Sequence, residues 1–118
     1  METWQAEEAA GPHCVASLSY IYNPQTRGLA QRLAELQLAN HDVIGAALSV
    51  PLDHAQTLAC ITLRGETSKV RPIADQIRAE PGVAFGSLNL VSVDLHQHHE
   101  GAQDHVHPAH PHLSPRNA

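Results

Sequence analysis

The sequence predicts an α+β fold with the element order βαββαβ, and three observations predict it. Four short runs rich in apolar and β-compatible residues lie at 14–22, 42–50, 57–63 and 83–93. Between them, two stretches repeat apolar residues at helical spacing. Asn23-Pro24, Pro51 with Asp53, and Pro81-Gly82 punctuate the runs as turns. A chain of 118 residues holds one core of this size and no second one.

The first run, CVASLSYIY from Cys14 to Tyr22, alternates partially and stops at Asn23-Pro24, so it reads as a strand. Asn23 suits a helix N-cap and Pro24 the first helical position. Leu29, Leu33 and Leu36 then mark one face of a helix that runs to about Ala39, with Asn40 as a left-handed C-cap. Asp42 to Val50 is the second strand. Pro51 and Asp53 turn the chain into a third strand from Thr57 to Leu63, which makes the pair a hairpin. Thr67 or Ser68 caps a second helix whose apolar stripe is Val70, Ile73, Ala74 and Ile77, ended by Pro81-Gly82. Pro72 sits beyond its first turn, where a proline removes a backbone hydrogen bond. Val83 to Val93 is the fourth strand, with Leu88 and Leu90 alternating.

Two helices on one face of a four-stranded antiparallel sheet, joined by right-handed crossovers, is the ferredoxin-like arrangement. The second and third strands carry apolar residues on both faces, and the two helices cover only one. Association of copies into a homo-oligomer, a dimer or a tetramer, is the expected remedy. The chain divides into a polar leader at 1–12, a folded domain at 13–93 and a tail at 94–118.

The formal charge of −5 gives a phosphate backbone no surplus of cations to meet, which argues against direct nucleic-acid binding. No run approaches the ~18 apolar residues of a membrane span, and Met1 to Glu8 is polar and acidic, so the expected address is the cytoplasm. Cys14 and Cys60 are too few and too far apart for a disulfide framework or a metal knuckle, and read as buried thiols.

The most uneven feature is histidine. Of ten in the chain, seven (His96, His98, His99, His105, His107, His110 and His112) fall between residues 96 and 112. Neutral imidazole ligates nickel, copper, zinc and cobalt, and several rings on a flexible segment chelate without a preformed pocket. These seven are the candidate metal ligands, and Asp94, Glu100 and Asp104 are candidate oxygen donors beside them. The bland alternative is a solubilising, unstructured end.

The runs CVASLSYIY, HDVIGAALSV, LACITLRGE and VAFGSLNLV together resemble the C-terminal regulatory domain of the nickel-responsive transcriptional regulators (NikR type), an ACT-like βαββαβ domain. The similarity covers about Cys14 to Val93. It is most specific in the LSYIY strand, the His41-Asp42 step and the Leu63-Arg64-Gly65 end of the third strand. It implies tetramers with nickel held between subunits by a histidine ending the first helix, a His-x-His pair on the second strand and a cysteine opening the third.

At the positions so implied this sequence reads Leu38, Ser49, Pro51 and Thr57. Two of these offer no side-chain donor, and hydroxyls replace imidazole and thiolate poorly at a borderline-soft metal. The family's core nickel site is therefore expected to be absent. Cys60 lies three residues beyond the expected cysteine, and an odd offset reverses the face of a strand. His41 and His54 remain where some members carry histidines; they read as turn residues first and secondary ligands second. The family precedes this domain with a ribbon-helix-helix DNA-binding module, which twelve residues before His13 are too short to encode. Any effect on transcription would run through a separate DNA-binding protein, and delivery through a metal-transport protein.

His13 reads as a strand-start residue beside a buried thiol, Tyr20 and Tyr22 as packing residues, and Arg64, Lys69 and Arg71 as a solvated face. No P-loop, GxGxxG, HExxH or placeable Ser, His and Asp set is present, so the chain is not expected to be an enzyme. The leading expectation is a protein that binds nickel or a similar metal through its tail, for metal homeostasis or metal-responsive regulation. The alternative is a small-molecule-sensing or oligomerisation module with no core metal site.

Overall fold

The computed structural model describes residues 11–97 and 111–115. Its elements are β1 (His13–Tyr22), α1 (Leu29–Ala39), β2 (Ile44–Pro51), β3 (Thr57–Glu66), α2 (Thr67–Arg78), β4 (Val83–Gln97) and β5 (Pro111–Pro115). All pairings are antiparallel, and the sheet order is β2-β3-β1-β4-β5. The expected βαββαβ order is therefore present, with a short fifth strand added beside β4.

The period of two in β1 sets the layers. Cys14, Ala16, Leu18 and Tyr20 are buried, while the residues between them are half-buried. Cross-strand partners share a face, and their sizes compensate: Ala16 lies opposite Leu63, and Tyr20 opposite Ala59. Against this face pack Leu29 and Leu33 of α1, and Val70, Ile73, Ala74 and Ile77 of α2.

Several local expectations change. Asn23 does not cap α1. Its Oδ1 accepts the Gln25 N–H at 2.9 Å, and its carbonyl accepts that of Thr26 at 3.0 Å, so Asn23-Pro24 builds a turn. The helix starts five residues later, after Gly28, whose φ of 76° a β-carbon disfavours. Asn40 is not left-handed (φ −122°); its side-chain amide donates to the Leu36 carbonyl at 2.8 Å and closes the helix that way. Neither Thr67 nor Ser68 caps α2 through a side chain. Thr67 instead ties the helix to the segment before β1, with Oγ1 donating to Gly11 O at 2.6 Å and its N–H to Pro12 O at 2.8 Å. Pro72 stays inside α2, where five buried residues outweigh the lost backbone bond.

The β2–β3 hairpin forms as expected. Its tip is closed by Leu52 N–H on Gln56 O at 2.8 Å and by Ala55 N–H on Asp53 Oδ1 at 2.8 Å. An irregularity between Ile44 and Ala47 shifts the register by one. There Thr62 Oγ1 accepts the Ala46 N–H at 2.8 Å, and a β-carbon on Gly45 would lie 2.8 Å from the same oxygen.

The face away from the helices is mixed. Its middle is small and polar, with Ser17 opposite both Thr62 and Asn89, and Ser19 opposite Cys60 and Ser87. Toward its margins Leu48 (62% exposed), Val50 and Val91 leave apolar area open. Among the described residues no helix is long and apolar enough to cross a membrane.

Candidate metal centre

The backbone gathers three of the four positions at which the resemblance implies nickel ligands. Pro51 lies opposite Thr57 in the β2–β3 ladder, and Ser49 sits two residues along on the same, helix-side face. Leu38, next to the end of α1, is 72% exposed. Between α1 and these strands lies a cavity of about 140 Å³ whose walls include Ala30, Leu33, Ala34, Ala47, Ser49 and Ala59. Gln37 Nε2 donates to the Tyr20 hydroxyl at 3.5 Å beside it. Alanines, a leucine and hydroxyls do not suit a borderline-soft divalent ion, so these residues do not fit nickel.

The remaining core candidates stay apart. His41 is exposed in the α1–β2 turn, His54 is exposed at the hairpin tip, and His13 opens β1 opposite Glu66. Cys14 is buried on the helix side, so His13 beside it takes the other face. Burial pushes the Cys14 thiol up, against a smaller opposing pull from its hydrogen bond with Thr67 and from the Arg71 charge. Tyr20 is raised chiefly by burial as well. Cys60 is only half-buried, contrary to the expected buried thiol. It lies on the open face with its Sγ 3.4 Å from Ser19 Oγ, and away from Thr57, as the odd offset requires. Among the described residues no three His, Cys, Asp or Glu side chains group as a metal site.

Of the seven tail histidines, two fall in described strands. β4 continues to Gln97, past the boundary drawn at residue 94 from the sequence, and β5 pairs with this extension. The register runs Val93 to Pro115, Asp94 to Ser114, Leu95 to Leu113, His96 to His112 and Gln97 to Pro111. His96 and His112, sixteen residues apart in the chain, are thus directly opposed. His98, His99, His105, His107 and His110 lie outside the described residues, as do Glu100 and Asp104.

Sequence reading missed three features. Arg71 is not on a solvated face: it is half-buried, and its Nε and Nη2 are buried without a hydrogen-bond partner. Phe85 has a φ of 57° and is 75% exposed at a bulge where the β1–β4 register slips. Gly86 beside it was the available signal, since a β-carbon there would lie 2.6 Å from Arg78 Cγ. Lastly, an open groove at one end of the sheet is lined by Tyr22, Asn23, Asp53, Gln56, Gly82 and Ala84.

Two helices against one face of an antiparallel sheet in the order βαββαβ define an ACT-like α+β domain. Comparison of the sequence with known families supplies the particular one. The chain belongs to the family described as the NikR C terminal nickel binding domain, which matches residues 15–91. It is similar to the "Nickel-responsive regulator" of Edwardsiella ictaluri (strain 93-146), at 38% identity over 84% of this chain and 62% of that protein. It is also similar to the "Putative nickel-responsive regulator" of Rhodopseudomonas palustris (strain TIE-1), at 34% identity over 85% and 68% respectively. A protein of the same name from Brucella ovis is 37% identical over 72% and 64%. The chain therefore spans 62% to 68% of the length of these relatives. They are named as regulators and not as enzymes.

Proposed function

We propose that this chain is a nickel-responsive protein that takes up its metal through the tail histidines, in the service of metal homeostasis or of a regulator supplied by another chain. The observation that carries the reading is seven histidines within residues 96–112, attached to a domain of a nickel-binding family whose implied ligand positions hold Leu38, Ser49, Pro51 and Thr57. Neutral imidazoles supply the ligation. The family favours nickel; an imidazole set alone would also take copper, zinc or cobalt.

Replacing all seven tail histidines by alanine in the full chain tests this. Equilibrium dialysis against nickel chloride should show the metal retained by the native chain and lost by the variant. Uptake equal in both would place the metal elsewhere and sink the reading. Ligation by imidazole also sets a pH dependence. Protons compete for histidine nitrogen below about pH 6.5, so calorimetric affinity at pH 5.5 should fall well below that at pH 7.5. Equal affinity at both would count against histidine.

The rival reading, a ligand-sensing or assembly module, draws on the polar end groove and on exposed Leu48, Val50 and Val91. It takes over if neither native chain nor variant binds metal.

A further inference from the structure

We propose that the groove at the end of the sheet is a binding site for a small alkylammonium ion, held by the Asp53 carboxylate and the Tyr22 ring. The proposal gives that groove a ligand class and does not depend on metal ligation by the tail.

Three chain connections converge there. Tyr22 and Asn23 come from the end of β1, Asp53 and Gln56 from the β2–β3 hairpin tip, and Gly82 and Ala84 from the passage between α2 and β4. Together they border a space of about 500 Å³. Sites for small organic molecules span roughly 300–1,000 Å³.

Charge decides which class of molecule suits it. Of the lining side chains Asp53 alone is charged near neutral pH, and no Lys, Arg or His is among them. Arginines near the α2–β4 turn are engaged by other carboxylates, Arg32 by Glu80 at 2.8 Å and Arg78 by Asp75 at 2.6 Å. An anion therefore meets repulsion in the groove and a cation meets attraction. A bare metal ion is poorly served, because one carboxylate is too few donors and no three His, Cys, Asp or Glu side chains group among the described residues. An organic cation also has use for Tyr22. That ring lies 6.0 Å from the Tyr20 ring, centroid to centroid, and borders the end groove as well as the cavity beside α1. A cationic head within about 6 Å of an aromatic face is drawn to its quadrupole. Asp53 Oδ1 accepts the Ala55 N–H at 2.8 Å, which fixes the carboxylate on the hairpin tip, and an ionised carboxylate keeps further acceptor sites for a ligand.

The test uses the full chain in low-salt buffer without added metal, with choline as probe and calorimetry as readout. The comparator is the neutral isostere of choline, in which carbon replaces the quaternary nitrogen. Choline should bind about tenfold more tightly than the isostere, the gain coming from the carboxylate and the ring together. Asp53→Asn keeps the oxygen that receives the Ala55 N–H but loses the charge, and should remove most of that preference. Tyr22→Leu should weaken choline about threefold. Ala84→Leu, at an exposed position, narrows the groove while leaving Asp53 and Tyr22 in place, and should weaken both compounds. It keeps the test decisive if Tyr22→Leu disturbs the packing around Tyr20. No choline bound, choline and isostere bound equally, or Asp53→Asn binding choline as the native chain does overturns the site. Nickel uptake by the same protein in dialysis reports separately on the tail, so either reading can fail without the other.

Discussion

At the scale of single residues, two buried groups and one glycine make the fold's chemistry testable. Cys14 and Tyr20 are acids raised by burial, so the folded state favours their protonated forms. A raised acid contributes stability that is complete below its unfolded pKa and is lost as pH climbs toward the folded one. Stability in urea should hold up to about pH 9, the ordinary value for the thiol, and decline above it. Cys14→Ala should make that decline shallower; an unchanged alkaline limb would show that the thiol plays no part. Gly82 has a φ of 100°, and a β-carbon on it would lie 2.8 Å from Leu29 Cδ2 in the core. Gly82→Ala should cost roughly 2 kcal/mol in a denaturant midpoint measurement, from strain and the clash together. At the implied nickel positions the chemistry was legible in the letters alone. Leu38 and Pro51 cannot donate whatever the fold does, and the structure adds that Ser49, Pro51 and Thr57 nonetheless share a face.

Among the elements, the two helices differ in how firmly they are held. α1 buries only Leu29 and Leu33, whereas α2 buries five residues along its length. Leu33→Ala should therefore cost about 3 kcal/mol and loosen α1 ahead of α2, which hydrogen exchange on the two helices would separate. The strands were readable because a half-buried strand writes its period of two directly into the sequence, as Cys14, Ala16, Leu18 and Tyr20 do. The start of α1 was not. An asparagine side chain accepts the N–H two residues on in a turn much as it does at a helix cap, and Asn23 used that bond for the turn. β5 was hidden for a different reason: PHLSP is short, proline-bounded and without apolar alternation, so only its pairing with β4 identifies it. The opposition of His96 and His112 follows from that pairing and has no trace in their spacing.

For the molecule as a whole, the apolar area left open on the face of the sheet away from the helices is the feature with most consequence. Leu48 and Val50 lie on that face at its β2 side, opposite Cys60 and Leu58, with Val91 across the sheet. If copies meet there, Val50→Lys should lower the sedimentation coefficient while leaving the far-UV circular dichroism spectrum unchanged, because Val50 is 42% exposed in the single chain and its loss leaves the core intact. An unaltered coefficient would place the contact elsewhere. The boundaries of the sheet carry a separate consequence. Along one rim β2 ends in Pro51, and along the other β5 begins and ends in proline. Residues without an N–H make poor templates for a newly arriving strand, and a short rim makes a poorer one. Lateral growth into fibrils is disfavoured at these prolines, so any meeting of copies is expected through the faces of the sheet.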